Sequence, residues 1–301
     1  MKLNFLKYAA LAVVLLYVLY VAGIGLLTMP DNNLYTPPVN EEELTDHDRA
    51  VIMADGLNYA LETELNSFGG WIYNDLLLVP YLIDNVSAYQ HGIIYATRPA
   101  SDILAKTIAR YGKTDTIDPR LADATSRYFT YSEKVWGFWF VYDCEHKYQA
   151  GIKNWKEWAE SVGGSGKNAG IYNVRSDDVH QILKYCTSMT DYVLGILNEE
   201  KMGHFESDDN IYFAKGVAAV VTNVMRALIT VDSSVVERGG EENVKESLTR
   251  LQYIADFDPI YVVAGGNTIG DAMIPNHVAA LARHIDVANN RINDILQAME
   301  K

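Results

Sequence analysis

The sequence predicts an all-α protein: one N-terminal transmembrane helix followed by a multi-helix bundle domain with little or no β structure. Three observations carry that expectation. Tyr8 to Pro30 runs without a charge. Several later segments repeat apolar residues at steps of three and four, the period of a helix with one buried face. Ile260–Ala264 is the one convincing strand-like run, and it is short.

The first element is the charge-free run. A helix rises about 1.5 Å per residue, so roughly 20 apolar residues cross a ~30 Å hydrocarbon core. Tyr8–Leu27 supplies that length. A cleaved signal peptide is the rival. Its apolar region is usually about 7–15 residues and ends in a small-x-small site. Here Leu26 and Leu27 continue past Ala22-Gly23-Ile24-Gly25, which favours an uncleaved anchor. Lys2 and Lys7 precede the run and Arg49 is the first basic residue after it. The positive-inside bias then keeps the N-terminus cytoplasmic and exports the rest. In a Gram-negative cell the body is periplasmic. Residues 1–30 are therefore expected to be the anchor. Residues 31–44 read as a polar linker kept extended by Pro37-Pro38, holding the body off the bilayer. Residues 45–301 form the helical periplasmic domain.

Within that domain a helix is expected from Thr45, with Asp46 and Asp48 in its first turn and Val51, Leu57, Leu61 and Leu65 along it. Asn66–Gly70 stops it. Ile83, Val86, Ile93 and Ile94 suggest the next helix. Pro99 is expected to end or kink it and to open another reaching Tyr111. Asp118-Pro119 repeats the cap-then-proline start. Val135–Tyr142 (VWGFWFVY) fits a buried helix or a strand equally well. Asp143–Val162 is helical again, up to Gly163–Gly166. Ser176, Ser207 and Asn276 are the expected caps of three clear helices. Their stripes are Val179, Ile182, Leu183, Cys186, Met189, Val193, Leu197; then Ala214, Val217, Val220, Val221, Val224, Met225, Leu228; then Val278, Leu281, Ile285, Ala288, Ile292, Ile295. The last stripe is a seam suited to knobs-into-holes packing, within the chain or with a second copy. Seven or eight helices result.

Composition excludes some functions. The net charge of −14 leaves no basic stripe to displace counterions from nucleic acid, and it disfavours lying flat on anionic lipid. The two cysteines, Cys144 and Cys186, could be bridged in an oxidising compartment or could be two buried thiols.

Catalytic motifs fail one by one. Gly164-Ser165-Gly166-Lys167-Asn168 lacks the first glycine and the final hydroxyl of a phosphate loop, and it follows a helix. Gly265–Gly270 lacks the lysine. There is no G-x-S-x-G and no S-x-x-K. There is no H-E-x-x-H, and His204-Phe205-Glu206 is followed by no P-C-x-x-C. His277 and His284 stand two turns apart. Cys144 and His146 would point to different faces, so a metal shared with His180 and Cys186 is disfavoured. No cofactor is implied. Acid pairs such as Glu157 and Glu160 arise by chance in so acidic a chain. Trp136, Phe138, Trp139, Phe140, Tyr142, Trp155 and Trp158 read as core first and as a sugar platform second.

One polar constellation stands out. Asn74, Asp75, Asp84, Asn85, Gln90, His91 and Arg98 are interleaved with strongly apolar residues. Burying Asp84 or Arg98 without partners would be costly. They form either a hydrogen-bonded network that fixes the Asn66–Asn74 loop or the lining of a binding cleft.

The chain resembles a bacterial family known as a domain of unknown function, number two-three-three-three. The resemblance rests on Gly70-Trp71 with Asn74-Asp75; Asp84-Asn85 with Gln90 and Gly92; Tyr148-Gln149 with Gly151; and Asn173–Asp178. It extends over Asp208-Asp209 with Gly216 and Arg226, Phe257-Asp258-Pro259, and Arg283 with Asn289–Asn293. It implies a single-span bacterial inner-membrane protein with an exported helical domain, and it implies no activity. The expected function is a membrane-tethered periplasmic helical binding or scaffold protein. Its partners would be the inner membrane through Tyr8–Leu27 and an envelope protein, or a second copy through the Val278–Ile295 seam. The alternative is a cell-envelope enzyme acting on glycan or peptide, with its site near Asp75, Asp84, His91 and Arg98.

Overall fold

A 26-residue helix, α1 (Lys2–Leu27), opens the chain, and most of the large apolar side chains described along it are exposed. The computed structural model describes residues 2–38, 43–75, 79–111, 116–137, 142–166, 169–199, 202–259, 262 and 277–300. Behind α1 the described residues form α2 (Asp46–Leu65), a 3-10 turn (Ile72–Asn74), α3 (Val79–Leu82) and α4 (Asp84–Thr107). Then come α5 (Pro119–Asp123), α6 (Cys144–Ser161), α7 (Ser176–Leu197) and α8 (His204–Val231). The chain closes with α9 (Ser234–Gly239), α10 (Glu241–Ala255) and α11 (His277–Met299). The strands among the described residues are one antiparallel pair, β1 (Arg110–Tyr111) and β2 (Thr116–Ile117). The protein is all-α, as its sequence predicts, and its first helix is apolar and long enough to span a membrane.

α8 is the axis of the bundle. It is as apolar as many membrane spans, but most of it is buried inside the body. α4, α2, α10 and α7 pack around it. The approach of α4 is set by glycine against glycine. A Cβ on Gly92 would strike the Phe213 carbonyl, and one on Gly216 would strike the Tyr89 carbonyl. Only bare backbones fit there. α6 packs on α2, and α11 lies across α7 and α10.

Several boundaries follow local chemistry. Thr45 caps α2 in a reciprocal box with Asp48, as expected. Asp118 caps α5 and takes the Arg120 N–H, with Pro119 as the first helical residue. Asp143 caps α6 through the His146 N–H. Two caps move. α7 begins at Ser176 itself, after Arg175, whose N–H Asp178 accepts. α8 begins at His204, and Ser207 sits buried in its first turn with its hydroxyl donating to Gly203 O.

Pro99 neither ends nor restarts a helix: α4 passes through it from Asp84 to Thr107. Interior proline costs about 3 kcal/mol. Both halves of α4 bury apolar side chains, Ile93 and Ile94 before Pro99 and Leu104 and Ala105 after it, which offsets that cost. The segment after α1 is no free spacer. Thr28 is buried, the Asp31 N–H reaches Glu64, and Tyr89 Oη donates to Asp31 O at 2.8 Å. Tyr35 is buried, with its N–H on Asn223 Oδ1 and its carbonyl on Arg226. Residues 28–35 are thus fastened to α2, α4 and α8. The body is not held away from α1 either: Ile24, Ile72, Val79 and Val86 form one small apolar cluster.

Val278, Leu281, Ile285, Ala288, Ile292 and Ile295 are all buried, covered by helices of the same chain. That seam packs within the chain. Cys144 and Cys186 are separate buried thiols with no bridge between them. Cys144 Sγ instead lies 3.2 Å from Asn74 Nδ2 and 3.3 Å from Glu133 O. Trp155 and Trp158 are core residues, stacked edge to face. Val135–Gly137 and Tyr142 are neither helix nor strand. Phe138, Trp139 and Phe140 lie outside the described residues, as do the Asn276 cap, Gly265–Gly270 and all of Ile260–Ala264 except the buried Val262.

Candidate functional site

Gln90 is the residue that shapes the site. It is buried on α4, and its Nε2 donates to Glu64 Oε2 at 3.0 Å and to Gly70 O at 2.8 Å. Its Oε1 accepts the Tyr73 N–H at 3.2 Å. The turn that starts at Gly70, in the left-handed region at φ +60°, is thereby pinned to α2 and α4 together. Asn74 finishes the turn, its Nδ2 donating to Val135 O at 3.0 Å. Arg98 does the same for the 129–133 segment. Its Nε donates to Phe129 O, and its Nη2 donates to Tyr131 O and Glu133 Oε2.

These pins leave a cleft of about 660 Å³ between the Tyr73–Asp75 turn, the first turns of α4, Lys134–Trp136, α7 and α8. Asn74, Asp75, Asp84 and His91 line it. Gln90 and Arg98 do not: they hold its walls. Asn85 does not line it either and lies beside Tyr212. The predicted constellation is therefore both a network and a lining, divided residue by residue.

The walls are aromatic. Tyr73 stacks on His91 with centroids 5.2 Å apart, and Phe213 meets the same ring edge-on at 5.3 Å. Tyr95 stacks on Tyr192 at 4.7 Å. The rim is acidic. Burial, then the Glu145 charge, pushes Asp75 up to about 6. Partial desolvation and the neighbouring carboxylates of Asp84, Asp208 and Glu206 push Asp209 up to about 6. Burial holds the His91 pKa below its usual value; Glu133, 3.9 Å away, pulls it up, while Arg98 and Lys134 push it down. At neutral pH the ring is uncharged. The cleft can offer apolar ring faces, carboxylates that exchange protons near pH 6, and one lysine.

Asp209, Lys134, Tyr192 and Phe213 were not named as site residues from the sequence. Asp209 reads there as an ordinary acid near a helix start. Tyr192 and Phe213 lie off the apolar stripes of α7 and α8, which is the one available signal. Glu157 and Glu160 line a different groove of about 600 Å³ between α2 and α6, where Lys156 pairs with Glu62 at 2.6 Å. Among the described residues no group of three His, Cys, Asp or Glu side chains is placed to hold a metal ion.

Fold and cleft together define a class: a helical bundle joined directly to an N-terminal apolar helix, with an aromatic, acid-rimmed cleft beside the junction. The chain belongs to the family described as an uncharacterized protein conserved in bacteria, DUF2333, whose profile matches residues 2–199. The match takes in α1 through α7 and every cleft residue before Asp209; the resemblance read from Asp208 to Asn293 lies beyond it. No curated protein and no solved structure matches the chain.

Proposed function

We propose that the protein is a membrane-tethered helical binding module of the bacterial envelope. α1 spans the inner membrane with Lys2 and Lys7 on the cytoplasmic side, and the bundle is periplasmic and holds one envelope component in the cleft. The observation that carries this reading is the cleft itself, lined by Asn74, Asp75, Asp84 and His91 and walled by Tyr73, Trp136, Tyr192 and Phe213. Aromatic faces beside hydrogen-bond acceptors suit ligands such as sugars or peptides.

The test is recovery of the tagged, detergent-solubilised protein from native membranes, followed by identification of what accompanies it. A specific glycan, peptide or protein should be present with the wild type and absent with Asp84→Asn, while the melting temperature stays the same. Loss of stability without loss of a companion would sink the proposal. For the topology, a C-terminal alkaline phosphatase fusion should be active and a C-terminal fluorescent fusion that matures only in the cytoplasm should stay dark.

One observation favours a second reading, an envelope enzyme acting on glycan or peptide. Two cleft carboxylates, Asp75 and Asp209, are pushed up to about 6, where a carboxyl group can serve as a general acid near neutral pH. That reading requires turnover of cell-wall fragments by the wild type and its loss in both Asp75→Asn and Asp209→Asn.

A further inference from the structure

Beside the end of α1 the body leaves two large apolar side chains in solvent. Beyond Met29, the large apolar residues exposed among the described residues are Phe68, Leu82, Trp136, Tyr142, Ile171, Tyr192 and Tyr253. Two of them, Phe68 and Leu82, stand beside the end of α1. Phe68 is 73% exposed and precedes Gly69, whose Cα faces Thr28, the residue just past α1. Leu82 is 55% exposed and lies between Val79, which packs in one cluster with Ile24, and Ile83, which stands over Gly25.

These contacts place both beside the point where α1 enters the body. We infer that Phe68 and Leu82 form a membrane-seated face, held by apolar contact and not by charge, with the body resting on the outer surface of the bilayer that α1 crosses. The occupant of this face is lipid, because both side chains stand beside the end of the exposed apolar α1. Residues of these types are those that sit at the boundary between headgroups and acyl chains. The fastening of residues 28–35 supports the same geometry, since it allows no gap between span and body. The inference rests on the proposed membrane span.

The full chain in lipid nanodiscs tests it. Single Phe68→Cys, Leu82→Cys, Tyr253→Cys and Val18→Cys variants carry an environment-sensitive fluorophore, the two native thiols being buried. A lipid spin-labelled near its carbonyl groups is the quencher for positions 68, 82 and 253, and one labelled near the end of its acyl chain is the quencher for position 18. Quenching at positions 68 and 82 should exceed that at 253 by at least about three-fold, as for groups seated roughly 5–10 Å into the boundary. If positions 68 and 82 behave like 253 while position 18 is strongly quenched, the seated face is wrong and the span stands. If position 18 is not quenched, the span falls and the seated face with it.

Discussion

Gln90 and His91 are neighbours on α4 with opposite duties. Gln90 faces α2 and commits its amide groups to three hydrogen bonds; His91 faces the cleft. Replacing Gln90 by Leu leaves Glu64, Gly70 O and the Tyr73 N–H without that partner. The expected loss is about 2–4 kcal/mol, read by chemical denaturation. Asp84→Asn lies in the cleft and removes a favourable charge at a helix start together with a repulsion on Asp209, so its cost should stay below about 1 kcal/mol in the same measurement. The constellation was legible in the sequence as polar residues among apolar ones. Its division was not. Helical period fixes the angle between residues 90 and 91 but not the direction either one faces, which depends on what packs against α4. Asp209 was hidden for another reason: an acid near a helix N-terminus already has an explanation in the helix dipole. The thiols give a further residue-scale expectation. Burial pushes both Cys144 and Cys186 up to about 12, so neither should react with a thiol reagent at pH 8 until the protein is unfolded.

At the scale of elements, the apolar stripes of α7, α8 and α11 were readable, because burial of one face imposes the 3.6 period directly. Pro99 was misleading for the complementary reason. Its local cost is real, but the packing that offsets it is tertiary and leaves no mark beside the proline. The glycines are the converse case: Gly92 and Gly216 look unremarkable in sequence and set how closely α4 approaches α8. Gly92→Ala or Gly216→Ala must move one backbone off another, at a cost of about 3 kcal/mol or more. Gly195→Ala on α7 meets nothing within 4 Å and should be neutral or gain up to about 1 kcal/mol. Thermal denaturation of the three variants separates the two situations. A charge at Leu281 should unfold the monomer rather than split an oligomer, seen as loss of helical circular dichroism.

For the molecule as a whole, Glu64 links stability to pH. It is buried, and burial pushes it up to about 7 from an ordinary 4.5, although hydrogen bonds from Gln90 and the Asp31 N–H oppose the shift. Between those values the unfolded chain has lost the proton and the folded chain keeps it. Stability therefore falls as pH rises from about 4.5 to about 7, by roughly 3 kcal/mol from this group. Glu64→Gln should flatten that part of the curve relative to wild type. Glu64 also stands where α2, α4 and the chain leaving α1 meet. Because that exit is bolted down by Asp31 and Tyr35, the protein has no leash. On the proposed topology its cleft cannot roam the depth of the periplasm or swing toward the outer membrane, and its working radius is the height of one bundle. Whatever occupies the cleft then has to arrive at the surface of the membrane that α1 is proposed to cross, either by diffusing down to it or by travelling within the lipid plane.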